Sequence, residues 1–99
     1  MRIDDIADMD TLRARIDALD EALIGLLAQR HALIARAARI KAQTGLPARI
    51  DARVEAVVAN ARRHAASQGL DPDLIESLWR QLVEAAIAQE DRYLSQHRP

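Results

Sequence analysis

The sequence has 99 residues, of which 49% are hydrophobic, and its formal net charge is −1 at pH 7. This length predicts a single domain spanning residues 1–99, and the near-neutral charge argues against a nucleic-acid partner. Cysteine is absent, which excludes disulfides and thiolate metal ligands. The first ten residues lack the apolar segment of a signal peptide, and no apolar run is long enough to span a membrane. We therefore expect a cytoplasmic protein without a membrane partner.

The first predicted element is a long helix from about Asp10 to Gln43. Its apolar positions recur at alternating spacings of four and three, which is the pattern of an amphipathic helix. Asp8, Asp10 or Thr11 could cap its beginning, and the glycine and proline of "TGLP" (44–47) end it. The positions on this stripe are Leu12, Ile16, Leu19, Leu23, Leu26, Arg30, Leu33, Ala37 and Ile40.

Two shorter helices follow, and nothing in the sequence has the alternation of a strand. The second helix is predicted at about 48–67, and Gly69 closes it. The third begins at Asp71, with Pro72 at its first helical position. Their stripes comprise Ile50, Val54, Val57 and Ala61 in the second helix, and Ile75, Trp79, Leu82 or Val83, Ala86, Glu90, and Tyr93 or Leu94 in the third. The predicted fold class is all-α, with one long and two shorter helices.

The length of the first helix predicts an oligomer. A helix of this size is about 50 Å long at 1.5 Å per residue, whereas a domain of about 100 residues has a radius of gyration of only about 13 Å. The helix would overhang such a domain, and its apolar stripe would need a cover along the overhang. A second copy of the same chain would supply that cover, so we predict an intertwined homodimeric helical bundle in which the long helices pair.

Arg30 and Glu90 interrupt the apolar stripes at positions where a buried residue is expected. Lys41 is 11 residues after Arg30, a rotation of about 20° on an ideal helix, so the two cations share one face. Arg13 points away from Arg30 by about 100° and could instead enter the site of a partner chain. Arg53 lies at the edge of the stripe of the second helix. These residues predict a pocket with several cations and one carboxyl group.

Simpler interpretations of these charges remain open. A lone arginine on an apolar stripe often packs its aliphatic stem and keeps its charge in water or in an ion pair. Glu90 paired with Arg30 or Lys41 would be a buried salt bridge, which can specify register without adding stability. His31, His64 and His97 lack metal-ligand spacing and are expected at the surface. A solvated face is expected for Arg49, Arg62, Arg63, Arg80, Arg92 and Arg98.

A pocket of this kind would suit a small dianion. Arginine binds carboxylates through paired hydrogen bonds, and lysine supplies a point charge. The sequence offers no obvious nucleophile, phosphate-binding loop or metal site, so we expect neither a metal nor a cofactor. Catalysis would then depend on holding one conformer of the ligand and stabilising charge that develops on it.

These residues resemble the all-helical chorismate mutase family along nearly the whole chain. The segments that carry the resemblance are "LRARIDALDEALIGLLAQRHALIARAARIK" (12–41), "PARIDAR" (47–53) and "LDPDLIESLWRQLVEAAIAQE" (70–90). A generic coiled coil would match the leucines but not the set of polar residues, which are Arg13, Arg30, Lys41, Arg53 and Glu90. The resemblance implies an intertwined dimer of three-helix protomers with two sites, each binding the dicarboxylate chorismate, and a place in aromatic amino acid biosynthesis.

The resemblance also implies a role for each cation. Arg30, together with Arg13 from the partner chain, would hold the two substrate carboxylates, and Arg53 would be a further contact nearer the pocket mouth. Lys41 would donate to the ether oxygen, where negative charge grows as the C–O bond breaks, and Glu90 would bind that oxygen from the other side. The implied reaction is a Claisen rearrangement to prephenate without a covalent intermediate.

Three positions depart from the mutase pattern. Typical members have Asp in place of Ile50, Glu in place of Val54 and Ser in place of Ala86, and the missing Glu usually meets the substrate hydroxyl. The pair Arg53–Val54 resembles the isochorismate-pyruvate lyase branch, which releases pyruvate from isochorismate and leaves salicylate. Mutase and lyase therefore both stay open, and a non-catalytic helical dimer or regulatory module is a third hypothesis. Retention of the four cations argues against that third one, because unpaired buried charge is costly.

Glu90 is a fourth departure, since many members have Gln there. An ether oxygen only accepts hydrogen bonds, so an ionised Glu90 would repel it, whereas a protonated Glu90 can donate. We therefore predict activity that rises toward acidic pH, with Glu90→Gln flattening the profile.

Overall fold

A computed structural model describes residues 2–98 of the chain. A short 3-10 turn at Ile3–Asp5 precedes α1 (Met9–Thr44), α2 (Asp51–Ser67) and α3 (Pro72–His97). No strand occurs within residues 2–98. The prediction of an all-α chain with one long and two shorter helices is confirmed. The predicted domain bounds, residues 1 and 99, lie outside the described residues.

Local hydrogen bonds set both ends of α1. Asp8 caps its beginning, because its carboxylate accepts from the backbone N–H of Thr11 at 2.8 Å and from the Thr11 hydroxyl at 3.0 Å. These hydrogen bonds from Thr11 lower the pKa of Asp8. At the other end Gly45 adopts a φ of 77°, the left-handed conformation that ends a helix with little cost for glycine. Both ends lie within one residue of the prediction.

The start of α2 was predicted too early. Ile50 is extended, with φ −124° and ψ 103°, and the helix begins at Asp51 rather than near residue 48. Ala48 is buried in the core, and its carbonyl accepts a hydrogen bond from the Lys41 side chain. These tertiary contacts keep the chain extended before α2. The end of α2 agrees with the prediction, since Gly69 has a φ of 75°.

The start of α3 agrees with the prediction, and Asp71 caps it. The Asp71 carboxylate accepts from the backbone N–H of Asp73 at 2.9 Å, and Pro72 occupies the first turn, where its missing N–H costs nothing. The helix then packs along α2. The stripe of α3 that contains Ala86 and Glu90 is buried.

The described chain forms two compact units, one ending at Ala32 and one beginning at Leu33. The second unit contains the core, a cluster of Ala48, Val83, Ile87 and Leu94 with partly buried Ala42, Val54, Val57 and Tyr93 against it. Of the open alternatives, Val83 is more buried than Leu82 and Leu94 more than Tyr93. Ile87 was missed, because it lies beside the predicted stripe rather than on it.

The first unit has no buried side chain among residues 2–32. The predicted stripe of α1 is present there but open to solvent, and Leu19 is 70% exposed. The other large apolar residues exposed on this part of α1 are Ile16, Leu23, Ile24 and Leu26. Isolated apolar residues are normal at a surface, but a continuous row of them marks an interaction face.

Candidate active site

Lys41 lies in the last turn of α1, where the helix end fixes its backbone. The N–H groups of Gly45 and Leu46 both donate to the Lys41 carbonyl, at 2.9 and 3.2 Å. The bond from Leu46 reaches back five residues, as in a Schellman motif. The Lys41 side chain therefore starts from a backbone position that local hydrogen bonds define.

Glu90 of α3 meets this lysine in the buried part of the second unit. Its Oε1 is 3.0 Å from Lys41 Nζ, and the residue as a whole is only 4% exposed. Lys41 Nζ also donates to the carbonyl of Ala48 at 2.8 Å. Among the two interpretations offered for Glu90, the structure shows the ion pair, and it shows that the partner is Lys41.

The ion pair leaves hydrogen-bonding capacity unused. Glu90 Oε1 is buried and accepts no hydrogen bond from the described residues. Its contact with Lys41 Nζ is therefore an ion pair that lacks the geometry of a hydrogen bond. An ammonium group carries three donors, and the Ala48 carbonyl takes one of them. A buried oxygen without a hydrogen bond is unusual enough to point to a ligand or a water at this position.

The three apolar site candidates lie on α3 and at the start of α2. Ala86 lies one turn before Glu90 and is buried, so α3 presents both on one face. Val54 packs against the apolar cluster from the first turn of α2. Ile50 is half-buried, and its carbonyl accepts the N–H groups of Arg53 and Val54 at 2.9 and 3.0 Å. None of these side chains carries a polar atom that could contact a ligand.

None of the arginine candidates is as buried as Glu90. Arg53 is exposed and lies at the edge of a cavity of about 320 Å³ between α2 and α3, whose other walls include Val57, Ala61 and Trp79. Lys41 and Glu90 do not line that cavity. In the first unit Arg30 is half-buried and Arg13 is exposed. The roles given to these arginines stay predictions.

Arg98 was wrongly expected on a solvated face. It is half-buried, and its guanidinium donates to the carbonyl of Lys41 at 2.6 Å and to that of Leu46. A basic residue near a helix end is a recognised partner for helix C-terminal carbonyls. The sequence contained that signal, but only the fold shows that the carbonyls lie at the end of α1 rather than at the end of α3.

The other arginines and the histidines agree better with their predictions. Arg49 pairs with Glu84 at 2.6 Å on the surface, which tethers the segment before α2 to α3. Arg80 is exposed and Arg62 is half-buried, and both pair with Glu76. Arg63, Arg92, His31, His64 and His97 are exposed. Within residues 2–98 no group of three or more His, Cys, Asp or Glu side chains could hold a metal ion.

Fold and site together define an all-α protein with a buried lysine–glutamate pair between its first and third helices. Residues 12–91 match the family described as chorismate mutase type II. The chain belongs to this family. None of the described helices is long and apolar enough to cross a membrane.

Relatives with several different names resemble this chain. A T-protein from Enterobacter agglomerans is 35% identical over 86 residues, which are 87% of this chain and 23% of that protein. A 4-amino-4-deoxychorismate mutase from Streptomyces venezuelae is 34% identical over 88 residues, which are 89% of this chain and 85% of that protein. An isochorismate pyruvate lyase from Pseudomonas aeruginosa is 30% identical over 96 residues, 96% of this chain and 93% of that protein. The chain thus spans less than a quarter of the T-protein.

Proposed function

We propose that this chain is a chorismate mutase, which converts chorismate to prephenate by a Claisen rearrangement. The observation that carries the proposal is the buried Lys41–Glu90 pair, whose Oε1 accepts no hydrogen bond from the described residues. Membership of the chorismate mutase type II family and likeness to a T-protein support it. The pathway served would be aromatic amino acid biosynthesis, and the reaction would need no cofactor.

In this proposal the cations hold the substrate and Lys41 assists bond breaking. Arg30 and the Arg13 of a partner copy bind the two carboxylates, and Arg53 contributes near the mouth. Lys41 Nζ donates to the ether oxygen, on which negative charge develops as the C–O bond breaks and the new C–C bond forms. Glu90, when protonated, donates to the same oxygen. No atom leaves the substrate, so positioning and charge stabilisation suffice for catalysis.

The proposed assembly is an intertwined homodimer in which residues 1–99 form a single domain. Its support is the exposed apolar row of α1 in the first unit, where Leu19, Leu23 and Leu26 are each more than half exposed. Burying apolar surface contributes roughly 25 cal/mol per Å², so a second copy laid along this row would gain stability. The same pairing would bring Arg13 to the site of the partner. The cytoplasmic location stays a prediction.

An isochorismate-pyruvate lyase is the second candidate. Val54 supports it, because its side chain packs on the apolar cluster and offers no polar atom to a ring hydroxyl. The similarity to the Pseudomonas aeruginosa lyase also extends along nearly the full length of both chains. In this reaction the same C–O bond breaks, but a ring hydrogen moves to the enolpyruvyl group, which leaves as pyruvate.

The test is an assay of the purified protein with three substrates at mildly acidic and neutral pH. The substrates are chorismate, isochorismate and 4-amino-4-deoxychorismate, the last because a relative is named for it. We expect prephenate from chorismate to form fastest. Salicylate and pyruvate from isochorismate, with little prephenate, would move the protein to the lyase branch. Preference for 4-amino-4-deoxychorismate would support the proposed rearrangement but would make the amino compound the substrate in place of chorismate.

Ligand-dependent melting separates these enzymes from a non-catalytic module. A dicarboxylate that binds the native state raises the melting temperature by mass action. We expect chorismate to raise it for the wild type and Arg30→Ala to abolish the shift, with exposed Arg92→Ala as the control. No turnover and no shift in any of the three proteins would favour the regulatory module.

A further inference from the structure

Arg98 connects the end of α3 to the end of α1. Its backbone N–H donates to the carbonyl of Leu94 at 3.0 Å, so the residue continues the last turn of α3. Its guanidinium then reaches across to the carbonyls of Lys41 and Leu46. Hydrogen bonds from a charged donor are stronger than neutral ones. Here one acceptor, Lys41, lies in the last turn of α1, and the other, Leu46, lies just beyond the end of that helix.

The carbonyl that Arg98 binds belongs to the same residue whose Nζ contacts Glu90. Lys41 is therefore held at two points, by its backbone oxygen through Arg98 and by its ammonium through the Ala48 carbonyl and Glu90. Arg98 also binds the carbonyl of Leu46, which lies between Lys41 and Ala48 in the sequence. The segment from Lys41 to Ala48 is thus fixed from the α3 side at its beginning and its middle.

A similar helix end without such a contact occurs in the same chain. At the end of α2 the N–H of Leu70 donates to the Ala65 carbonyl at 2.9 Å, and Gly69 has a φ of 75°, much as Leu46 and Gly45 do at the end of α1. A glycine in the left-handed conformation is therefore enough to end a helix here. The guanidinium contacts at the end of α1 are therefore not needed to end the helix, and they call for another explanation.

We infer that Arg98 is a positioning residue for the Lys41 ammonium, acting through the backbone at the end of α1. The guanidinium hydrogen bonds of Arg98 go to the carbonyls of Lys41 and Leu46 rather than to Lys41 Nζ or Glu90, so Arg98 would act on the substrate oxygen only through Lys41. Its effect is to limit motion of the Lys41–Ala48 connection, and with it the direction of the Nζ–H bonds. The catalytic consequence rests on the function proposed above.

The expected signature is a loss of kcat with little change in KM. Misplacement of a catalytic group by a fraction of an ångström weakens interactions made in the transition state more than substrate binding, so we expect Arg98→Ala to lower kcat by about tenfold and to change KM by less than about twofold. Arg98→Lys retains a donor but not the planar fork, so its kcat should fall between those of the wild type and Arg98→Ala. Arg92→Ala, an exposed arginine of α3, is the matched control.

A second readout does not depend on catalysis. Amide hydrogen exchange of Gly45 and Leu46 should quicken in Arg98→Ala, because the Lys41 carbonyl that accepts both of their N–H groups loses the guanidinium. Exchange of Gly69 and Leu70 should stay unchanged and serves as the internal control. If Arg98→Ala does not fold, Arg98→Lys carries both measurements.

The outcomes separate this inference from the proposed function. Unchanged exchange at Gly45 and Leu46, or a kcat within about twofold of wild type in an active enzyme, would overturn the positioning role. Equal quickening at Gly69 and Leu70 would reduce the effect to general destabilisation and would also overturn it. A wild-type protein that turns over no substrate would defeat the proposed function, while the exchange experiment would still decide whether Arg98 fixes the Lys41 turn.

Discussion

Glu90 is almost completely buried, and its cationic neighbour is Lys41. Lys41 Nζ is 3.0 Å from its Oε1, and that oxygen accepts no hydrogen bond from the described residues. In the ion pair the carboxylate is ionised and can only accept hydrogen bonds. A ligand that offers an ether oxygen to Lys41 needs Glu90 to donate, which requires a proton on the carboxyl group.

The need for a donor at residue 90 predicts the effect of one substitution on catalysis. The side-chain amide of Glu90→Gln donates a hydrogen bond, which an ionised Glu90 cannot do. We expect kcat/KM of Glu90→Gln at neutral pH to be at or above that of the wild type. Steady-state rates of the two proteins at that pH decide the matter, and a large loss of kcat/KM in Glu90→Gln would contradict the donor role.

The Lys41–Glu90 pair predicts that one substitution destabilises the fold and that a second substitution restores most of the lost stability. Lys41→Met leaves the buried Glu90 without its cation, which costs about 3 kcal/mol in the free energy of unfolding, the lower part of the range for a broken buried pair. Adding Glu90→Leu removes the stranded carboxylate, so most of that loss should return. Urea unfolding at neutral pH measures both variants. The double variant should remain inactive, which separates the role of the pair in folding from its role in the site.

A double variant that is no more stable than Lys41→Met would contradict this account. It would mean that the stability lost in Lys41→Met comes from altered packing and not from the uncompensated charge of Glu90. Arg39→Met, an exposed cation in the same part of α1, is the control for changing a helical basic residue to methionine.

At the scale of elements, a surface ion network joins α2 to α3. Glu76 of α3 accepts from Arg80 at 2.7 Å and from Arg62 of α2 at 2.9 Å, and Arg80 also reaches Glu55 of α2. The hydrogen bonds from Arg80, and then from Arg62, lower the pKa of Glu76 below its ordinary value. Exposed pairs stabilise little singly, but a shared carboxylate couples the two helices.

The direction of this shift predicts how stability changes with acid. Because the pKa of Glu76 is lowered in the folded chain, the unfolded chain binds more protons below the ordinary value of 4.5. Stability from this network is therefore present above that pH and is lost as the pH falls further. We expect Glu76→Gln to make the melting temperature fall less steeply with acid than the wild type does. Thermal melts from neutral pH downward test this. Glu21→Gln, an exposed carboxyl of α1 outside the network, should follow the wild type.

The helices were predictable because local signals agree with their ends. Asp8, Gly45, Asp71 and Gly69 each act through neighbours within a few residues, so the sequence alone contains their effect. The late start of α2 was not predictable in this way. It depends on burial of Ala48 among residues of α3, which are far away in the sequence.

The residues of the candidate site also differ in whether local sequence signals could predict them. Lys41 and Glu90 could be predicted because charges on apolar stripes are conspicuous, and the structure brings them together. Arg98 could not, because its acceptors lie more than fifty residues earlier in the chain. No local pattern records that the last turn of α3 meets the last turn of α1.

At the scale of the whole molecule, the apolar row of α1 has no cover among residues 2–98. Leu19, Leu23 and Leu26 are all more exposed than a monomeric surface helix requires. A twofold dimer would bury the same row from both copies at once, since the two surfaces in such an interface are identical. The mass from analytical ultracentrifugation should be that of two chains, and Leu23→Lys should shift it toward one. If Arg13 enters the site of the partner copy, as predicted, catalysis requires the dimer, and a measurement of mass does not test this.

Mixing two inactive variants tests that meaning directly. If each site takes Arg30 from one copy and Arg13 from the other, Arg13→Ala and Arg30→Ala should each be nearly inactive alone. In a mixed dimer, however, one site combines the intact Arg30 of the first variant with the intact Arg13 of the second. Random exchange makes about half of the dimers mixed, and one of their two sites is complete, so activity should return to about a quarter of the wild-type value. If both arginines served the site of their own chain, every site would lack one of them, and a mixture shown to exchange subunits would stay inactive.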